Sequence, residues 1–206
     1  MTEKLDRRKA RTRQLLHDAL MSLLQEKNAE TITVTDVADR ADVNRGTFYL
    51  HYKDVADMLQ QMKDYVFERV QARVEHLDIS EAMKYIDRKE PYPASVGIFE
   101  EIGRHAEFLR IMLGPRGDLA FARQLRELMS SRMYAKLQIV APPHWSMPAD
   151  YLVAFVASAN FGLVTHWLDT GMHLTPEEMA KIIVRLMNYG PLVSSGIRQA
   201  PGLLGE

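Results

Sequence analysis

Residues 33–53 read TVTDVADRADVNRGTFYLHYK, and they divide into two short helices about a tight turn. Thr33 with Asp36 three residues on has the spacing of a capping box, in which hydroxyl and carboxylate each take an otherwise unpaired backbone N–H. Ala41–Asp42–Val43 follows as a turn, since Asp tolerates left-handed backbone. Asn44 then caps a third helix over about 45–52. Val37, Ala38, Val43, Phe48 and Tyr52 would lock the two helices at a steep angle. That is the helix-turn-helix layout, whose second helix enters the major groove of DNA. The outer face offers Arg45, Thr47, Tyr49 and His51, all able to donate to phosphates or base edges. Gly46 costs a helix about 1 kcal/mol against Ala, and a backbone that must come close to DNA gives it a reason. Lys53 sits just beyond, placed for a phosphate.

The segment before this one is basic. Residues 1–53 hold ten Lys/Arg against eight Asp/Glu, and Lys4, Arg7, Arg8, Lys9, Arg11 and Arg13 crowd the start of the chain. The whole chain carries a formal charge of −1, so the positive excess belongs to one end. A polyanion met at that end accounts for it. The arginines oppose the dipole of the helix they start, so they do not serve its stability. That helix spans 8–26, with Leu16, Ala19, Leu20, Leu23 and Leu24 at helical spacing.

The same stretch resembles the TetR family of bacterial transcriptional regulators. The likeness runs from the basic first helix through TVTDVADRADV to NRGTFYLHY and Lys53. It implies that Arg45, Gly46 and Thr47 lie at the DNA face and that Tyr49 and His51 reach phosphates; Lys53 and the cap Thr33 are expected among the DNA-binding residues with them. It also implies that Phe48 and Tyr52 pack inside. Two departures stand out: Asp42 replaces the usual turn Gly, and Val55 stands where many members carry Lys. Further on, FEEIGRHAEFLRIMLGPRGDLAFARQL (99–125) and ANFGLVTHWLDTGMHLTPEEMAKII (159–183) resemble the subset similar to dihydroxyacetone kinase regulators. The resemblance implies a homodimer on a palindromic operator in double-stranded DNA, acting as a repressor, with a small-molecule effector in the C-terminal half.

The 206 residues are 47 % apolar, enough for a real core, and contain no cysteine, which excludes disulfides and thiolate metal sites. Nothing at the start reads as a signal peptide, so the cytoplasm is the expected compartment. Asp54 caps a fourth helix to about Leu77. Later helices are expected over 80–89, 94–103, 105–113, 118–140, 149–170 and 176–189, the last introduced by Thr175-Pro176-Glu177-Glu178. No alternating strand is convincing, so the class is all-α. Residues 1–53 form the DNA-binding domain, 54–190 the effector and dimerisation domain, and 191–206, within a Gly/Pro/Ser-rich end, a flexible tail.

Tyr151 to Leu168 is a run of eighteen residues without formal charge. Asn160, Thr165 and His166 inside it, and the absence of a basic anchor at either end, argue against a membrane span. Ala154, Ser158 and Gly162 make a small stripe on which another helix can approach closely, so this is expected to be a buried helix at a dimer interface. Ligand-lining candidates are His105, Phe108, Met112, Phe121, Asn160 and Trp167, which point to a hydrophobic or amphipathic compound. The seven histidines lack metal-site spacing, no nucleotide or nucleophile motif is present, and neither cofactor nor catalysis is expected. Glu101 and His105, one turn apart, read as a surface ion pair. The rival function is a helical co-regulator that contacts proteins without binding an operator.

Overall fold

The computed structural model describes residues 2–85, 90–140 and 148–198. Every regular element among them is helical: α1 (Thr2–Glu26), α2 (Val34–Arg40), α3 (Arg45–Tyr49), α4 (Val55–Val74), α5 (Ile79–Lys84), α6 (Pro93–Arg104), α7 (Ala106–Leu113), α8 (Leu119–Val140), α9 (Ala149–Asp169) and α10 (Pro176–Ser194), with a single 3-10 turn at Ala29–Thr31. The chain folds as two compact units, Met1–Val66 with Gly114–Gly117, and Phe67–Leu113 with Asp118–Glu206. The division falls inside α4, and Val55, Met58 and Met62 on its first turns are all buried in the first unit.

In the first unit, α1 packs on α2 and α2 on α3. Leu16 and Leu20 of α1, Val37 and Ala38 of α2, Phe48 of α3 and Met58 of α4 are fully buried. Each such side chain contributes about 1.5–3 kcal/mol relative to exposure, with the small Ala38 below that range. α1 begins at Thr2 rather than at 8, and α3 stops at Tyr49 with Leu50 as its C-cap rather than running to 52. Val55, in the position where the family resemblance led one to look for Lys, is buried and joins the core instead of facing a phosphate.

In the second unit, α8 packs on α9, α10 on α6, and α7 on both α8 and α9. Phe108 meets Phe121 edge-on, and Phe99 meets Trp167 edge-on. The capping box at Thr175 and Glu178 forms as the sequence predicts. The expected end of α10 near 189 is corrected: helical turns resume beyond Gly190 and run to Ser194. Gly190 takes φ 66°, a conformation open to glycine, and the following Pro191 disfavours right-handed helical backbone at that place. The helix expected over 80–89 ends at Lys84, with 86–89 outside the described residues, as is the remainder of the tail from 199.

Within the single chain, α9, expected to be a buried helix at a dimer interface, is buried on one side and open on the other. Val153, Val156, Ala157, Trp167 and Leu168 are buried in the second unit, whereas Tyr151 and Phe155 are 71 % and 64 % exposed. Ala154, Ser158 and Gly162 lie on the open side with them. By length and composition α9 could cross a membrane, but its inner face is committed to the core of this unit.

Candidate nucleic-acid interface and ligand cavity

The helix-turn-helix is built from local hydrogen bonds. The Thr33 hydroxyl accepts from the Asp36 N–H at 3.2 Å, and the Asp36 carboxylate accepts from the Thr33 N–H at 2.8 Å. Lys27 adds an ion pair at 2.9 Å. Lys27 first, and the Thr33 bonds after it, hold the Asp36 carboxyl well below the ordinary carboxylate range. Asp42 takes φ 52°, so the left-handed turn forms with Asp in place of Gly. Asn44 caps α3 by accepting the Gly46 N–H on Oδ1 at 2.6 Å. A Cβ on residue 46 would lie 3.0 Å from that same oxygen, a local reason for glycine beside the expected approach to DNA.

This frame buries Phe48 and Tyr52 and leaves α3 outward. Arg45 and Gly46 are exposed, Tyr49 is 58 % exposed, and Thr47 and His51 are half-buried. Lys53 and Thr33 are exposed at the flanks. Sequence reasoning had not included one further cluster. Lys9, Arg13 and His17 recur every four residues along α1, and with Gln14, Leu50 and His51 they line a concave basic groove. Arg13 Nε donates to the Tyr52 hydroxyl at 3.1 Å, and His17 Nε2 lies 2.8 Å from the same oxygen. Burial, then the charge of Arg13, pushes the His17 pKa down; burial, then Arg13 and Lys9, does the same for His51. The i, i+4, i+8 spacing on a basic helix was the signal that could have found this groove.

The second unit contains a partly open cavity of about 420 Å³. Its walls come from Val70 and Val74 of α4, Ile98, Phe99 and Ile102 of α6, and Val156 and Ala157 of α9, among others. Asn160 is on the wall, but the other five ligand candidates are not. Phe108 and Phe121 pack on each other, and Met112 is buried. Trp167 stacks edge-on against Phe99 and donates its indole N–H to the Leu174 carbonyl at 2.9 Å. His105 lies 3.3 Å from Glu101. The aromatic candidates at core spacing are used for packing, and the space is shaped by aliphatic side chains together with Phe99 and Phe161.

Glu101 is not at the surface as expected: it is 1 % exposed. Arg69 reaches it at 2.9 Å, Arg73 at 3.4 Å and Arg104 at 2.6 Å. Burial alone would raise its pKa, but the bonds and charges of Arg69 and Arg104 outweigh it and hold the carboxyl at about 2. The same turns of α4 and α6 thus give Val70, Val74, Ile98 and Ile102 to the cavity and Arg69, Arg73 and Glu101 to a clasp beside it.

Comparison with known proteins places both halves of the chain. Residues 16–62 match the family described as bacterial regulatory proteins, tetR family, and residues 89–189 match a transcriptional regulator C-terminal region. The uncharacterized HTH-type transcriptional regulator YxbF of Bacillus subtilis is 23 % identical over 178 residues, covering 83 % of this chain. The chain spans only 43 % of that relative's length. Among solved structures, a TetR transcriptional regulator from Streptococcus agalactiae is similar at TM-score 0.59 and 22 % identity, covering 90 % of this chain and 98 % of that one. NalD, the secondary repressor of the MexAB-OprM multidrug efflux pump in Pseudomonas aeruginosa, is similar at 0.58 and 20 %, covering 88 % and 97 %. FadR from Bacillus subtilis in complex with stearoyl-CoA is similar at 0.55 and 14 %, covering 86 % and 98 %. At such identities the likeness is one of fold.

Proposed function

The chain belongs to the TetR family of bacterial regulatory proteins, and from that premise we propose that it is a sequence-specific, ligand-released repressor of transcription in the cytoplasm. The observation that carries the proposal is the outward face of α3, with Arg45, Gly46, Thr47 and Tyr49 standing over the buried Phe48 and Tyr52. Arg45 and Thr47 read base edges and Gly46 lets the backbone approach; Tyr49, His51, Lys53 and Thr33 hold phosphates. Two copies pair through the open side of α9, where Ala154, Ser158 and Gly162 admit a facing helix and Tyr151 and Phe155 cover it. The homodimer then holds the two half-sites of a palindromic operator.

Release follows from occupancy of the second-unit cavity by a small hydrophobic compound. Val70 and Val74 line that cavity and sit on α4, the helix that runs from the first unit into the second. A ligand that favours one position of α4 changes the spacing of the two reading modules, and affinity falls as one half-site is lost. A similar fold solved with stearoyl-CoA supports a ligand-responsive reading. The resemblance of 99–125 and 159–183 to the subset similar to dihydroxyacetone kinase regulators supports, within this proposal, reading the C-terminal half as one of that subset.

The test is selection from a randomised duplex library at two salt concentrations. A palindromic motif whose binding weakens as salt rises is the expected result, through release of phosphate counterions. Tyr49→Ala should weaken binding to all sequences, whereas Arg45→Ala and Thr47→Ala should also change the preferred motif. Folded, dimeric protein that enriches nothing at either salt would overturn the reading in favour of a protein-binding co-regulator.

A further inference from the structure

The cavity of the second unit carries a charge argument that narrows its ligand. Two ionised side chains are on its wall, Glu75 and Arg132, and they are paired with each other at 2.8 Å. Glu75 also accepts from Gln71 at 3.2 Å. No cation on the described wall is left to neutralise a carboxylate or phosphate, and no anion is left for an amine. An ion entering this space would therefore lose its hydration without a partner, which is costly in an apolar site.

Two neutral polar groups on the same wall are in the opposite condition. Ser95 is 8 % exposed, and neither its hydroxyl nor the Asn160 amide has a hydrogen-bond partner among the described residues. Ser95 comes from the first turn of α6 and Asn160 from the middle of α9. Asn160 is half-buried, and no fully buried side-chain polar atom among the described residues is unpaired. These two groups therefore keep contact with open space, and a hydroxyl and an amide on an otherwise apolar wall can orient a ligand's own polar atom. Between them they can both donate and accept.

We propose that the cavity takes an uncharged, largely apolar molecule bearing a hydroxyl or carbonyl group, held by Ser95 and Asn160, and that the Glu75–Arg132 pair excludes organic acids and amines. This rests on reading the second unit as the effector-binding half. A volume of about 420 Å³ lies toward the small end of the roughly 300–1,000 Å³ of ligand pockets, which suits a compact compound.

The experiment uses four fluorescent probes of one shape on the full chain: naphthalene, naphthylmethanol, naphthoate and naphthylmethylammonium. Naphthylmethanol should bind at least about tenfold more tightly than either ion, and more tightly than naphthalene. Asn160→Leu and Ser95→Ala should each bring naphthylmethanol down to the affinity of naphthalene, which itself should change little. Glu75→Gln, at a half-exposed position, frees Arg132 and should raise naphthoate affinity relative to naphthylmethanol about tenfold. Naphthoate binding as tightly as naphthylmethanol to the native chain would overturn the inference and leave the cavity a ligand site. Naphthalene matching naphthylmethanol would overturn the assignment of Ser95 and Asn160. Failure of all four to bind, with Glu75→Gln as inert as the native chain, would overturn both the inference and the effector reading beneath it.

Discussion

Asp36 in the first unit and Glu101 in the second are both carboxylates held below their ordinary pKa, yet they are held in opposite ways. Asp36 is served by its own neighbourhood, with Thr33 three residues back and Lys27 just before the helix. Glu101 is served from across its unit, by Arg69 and Arg73 on α4, 32 and 28 positions away, as well as by Arg104 one turn on. Asp36 is thus settled by the local rules of a cap, and Glu101 by tertiary packing. The helix-turn-helix shares that local logic at Asp42 and Asn44, although Tyr52 draws partners from α1. The clasp at Glu101 instead exists only when α4 and α6 meet.

Substitutions can break this contrast. The largest effect is expected at Phe48, which is fully buried in the first unit. Phe48→Ala should cost about 3–5 kcal/mol in chemical denaturation, and loss of operator binding should track the unfolded fraction. Retention of a native melting curve would mean the first unit is not organised around that ring.

Glu101→Gln comes next. Removing a buried carboxylate from three guanidinium groups costs several kcal/mol when all partners are buried, but Arg69, Arg73 and Arg104 are about half exposed, so about 1–3 kcal/mol is expected. The native Glu101 is ionised down to about pH 2, below its unfolded value near 4.5. Its contribution is therefore complete above pH 4.5 and is lost as pH falls toward 2. Subtracting the Glu101→Gln stability profile from the native one should show that window.

The two capping boxes sharpen the comparison, since each unit has one. Thr33→Ala and Thr175→Ala should both cost about 1 kcal/mol. A much larger loss in one of them would show that its cap is tied into tertiary structure. The smallest effect belongs to His51, whose pKa is lowered by burial, Arg13 and Lys9. A DNA phosphate in that groove would raise it, so binding takes up a proton and operator affinity should rise modestly as pH falls from 8 to 6. His51→Gln should flatten that slope, which titrations at constant ionic strength would reveal.

What could be read in advance divides along the same line. The Thr33–Asp36 box, the left-handed Asp42, the Asn44 cap and the Thr175–Glu178 box each lie within a span of three residues, where spacing and residue type suffice. The all-helical class follows from the periodicity of apolar residues. The basic groove was half visible, since Lys9, Arg13 and His17 share a helix face, but Tyr52 lies 39 positions from Arg13. Glu101 looked like a surface residue because its own helix supplies only Arg104, Glu100 and His105 as charged neighbours; α4 makes it buried. Five of the six ligand candidates lie off the cavity wall for a related reason. Size and aromaticity identify residues that want burial, whereas which of them face a void depends on how seven helices, α4 to α10, meet. The side of α9 that stays open carries the Ala154, Ser158 and Gly162 stripe singled out from the sequence, whereas Tyr151 and Phe155 beside it are as apolar as the residues that pack.

The Arg13–Tyr52–His17 contacts have a direction. Arginine can only donate, so the Tyr52 oxygen spends a lone pair on Arg13 Nε and keeps its single proton for another acceptor. Burial and the charge of Arg13 lower the His17 pKa and favour its neutral form, and Nε2 lies 2.8 Å from the same oxygen. In the tautomer that carries its proton on Nδ1, Nε2 accepts the phenol proton. The three groups then form a one-way relay, with each donor made stronger by the bond it receives. Tyr52→Phe would therefore cut the relay in the middle, leaving a guanidinium and an imidazole facing each other across an apolar ring with their polarities no longer aligned.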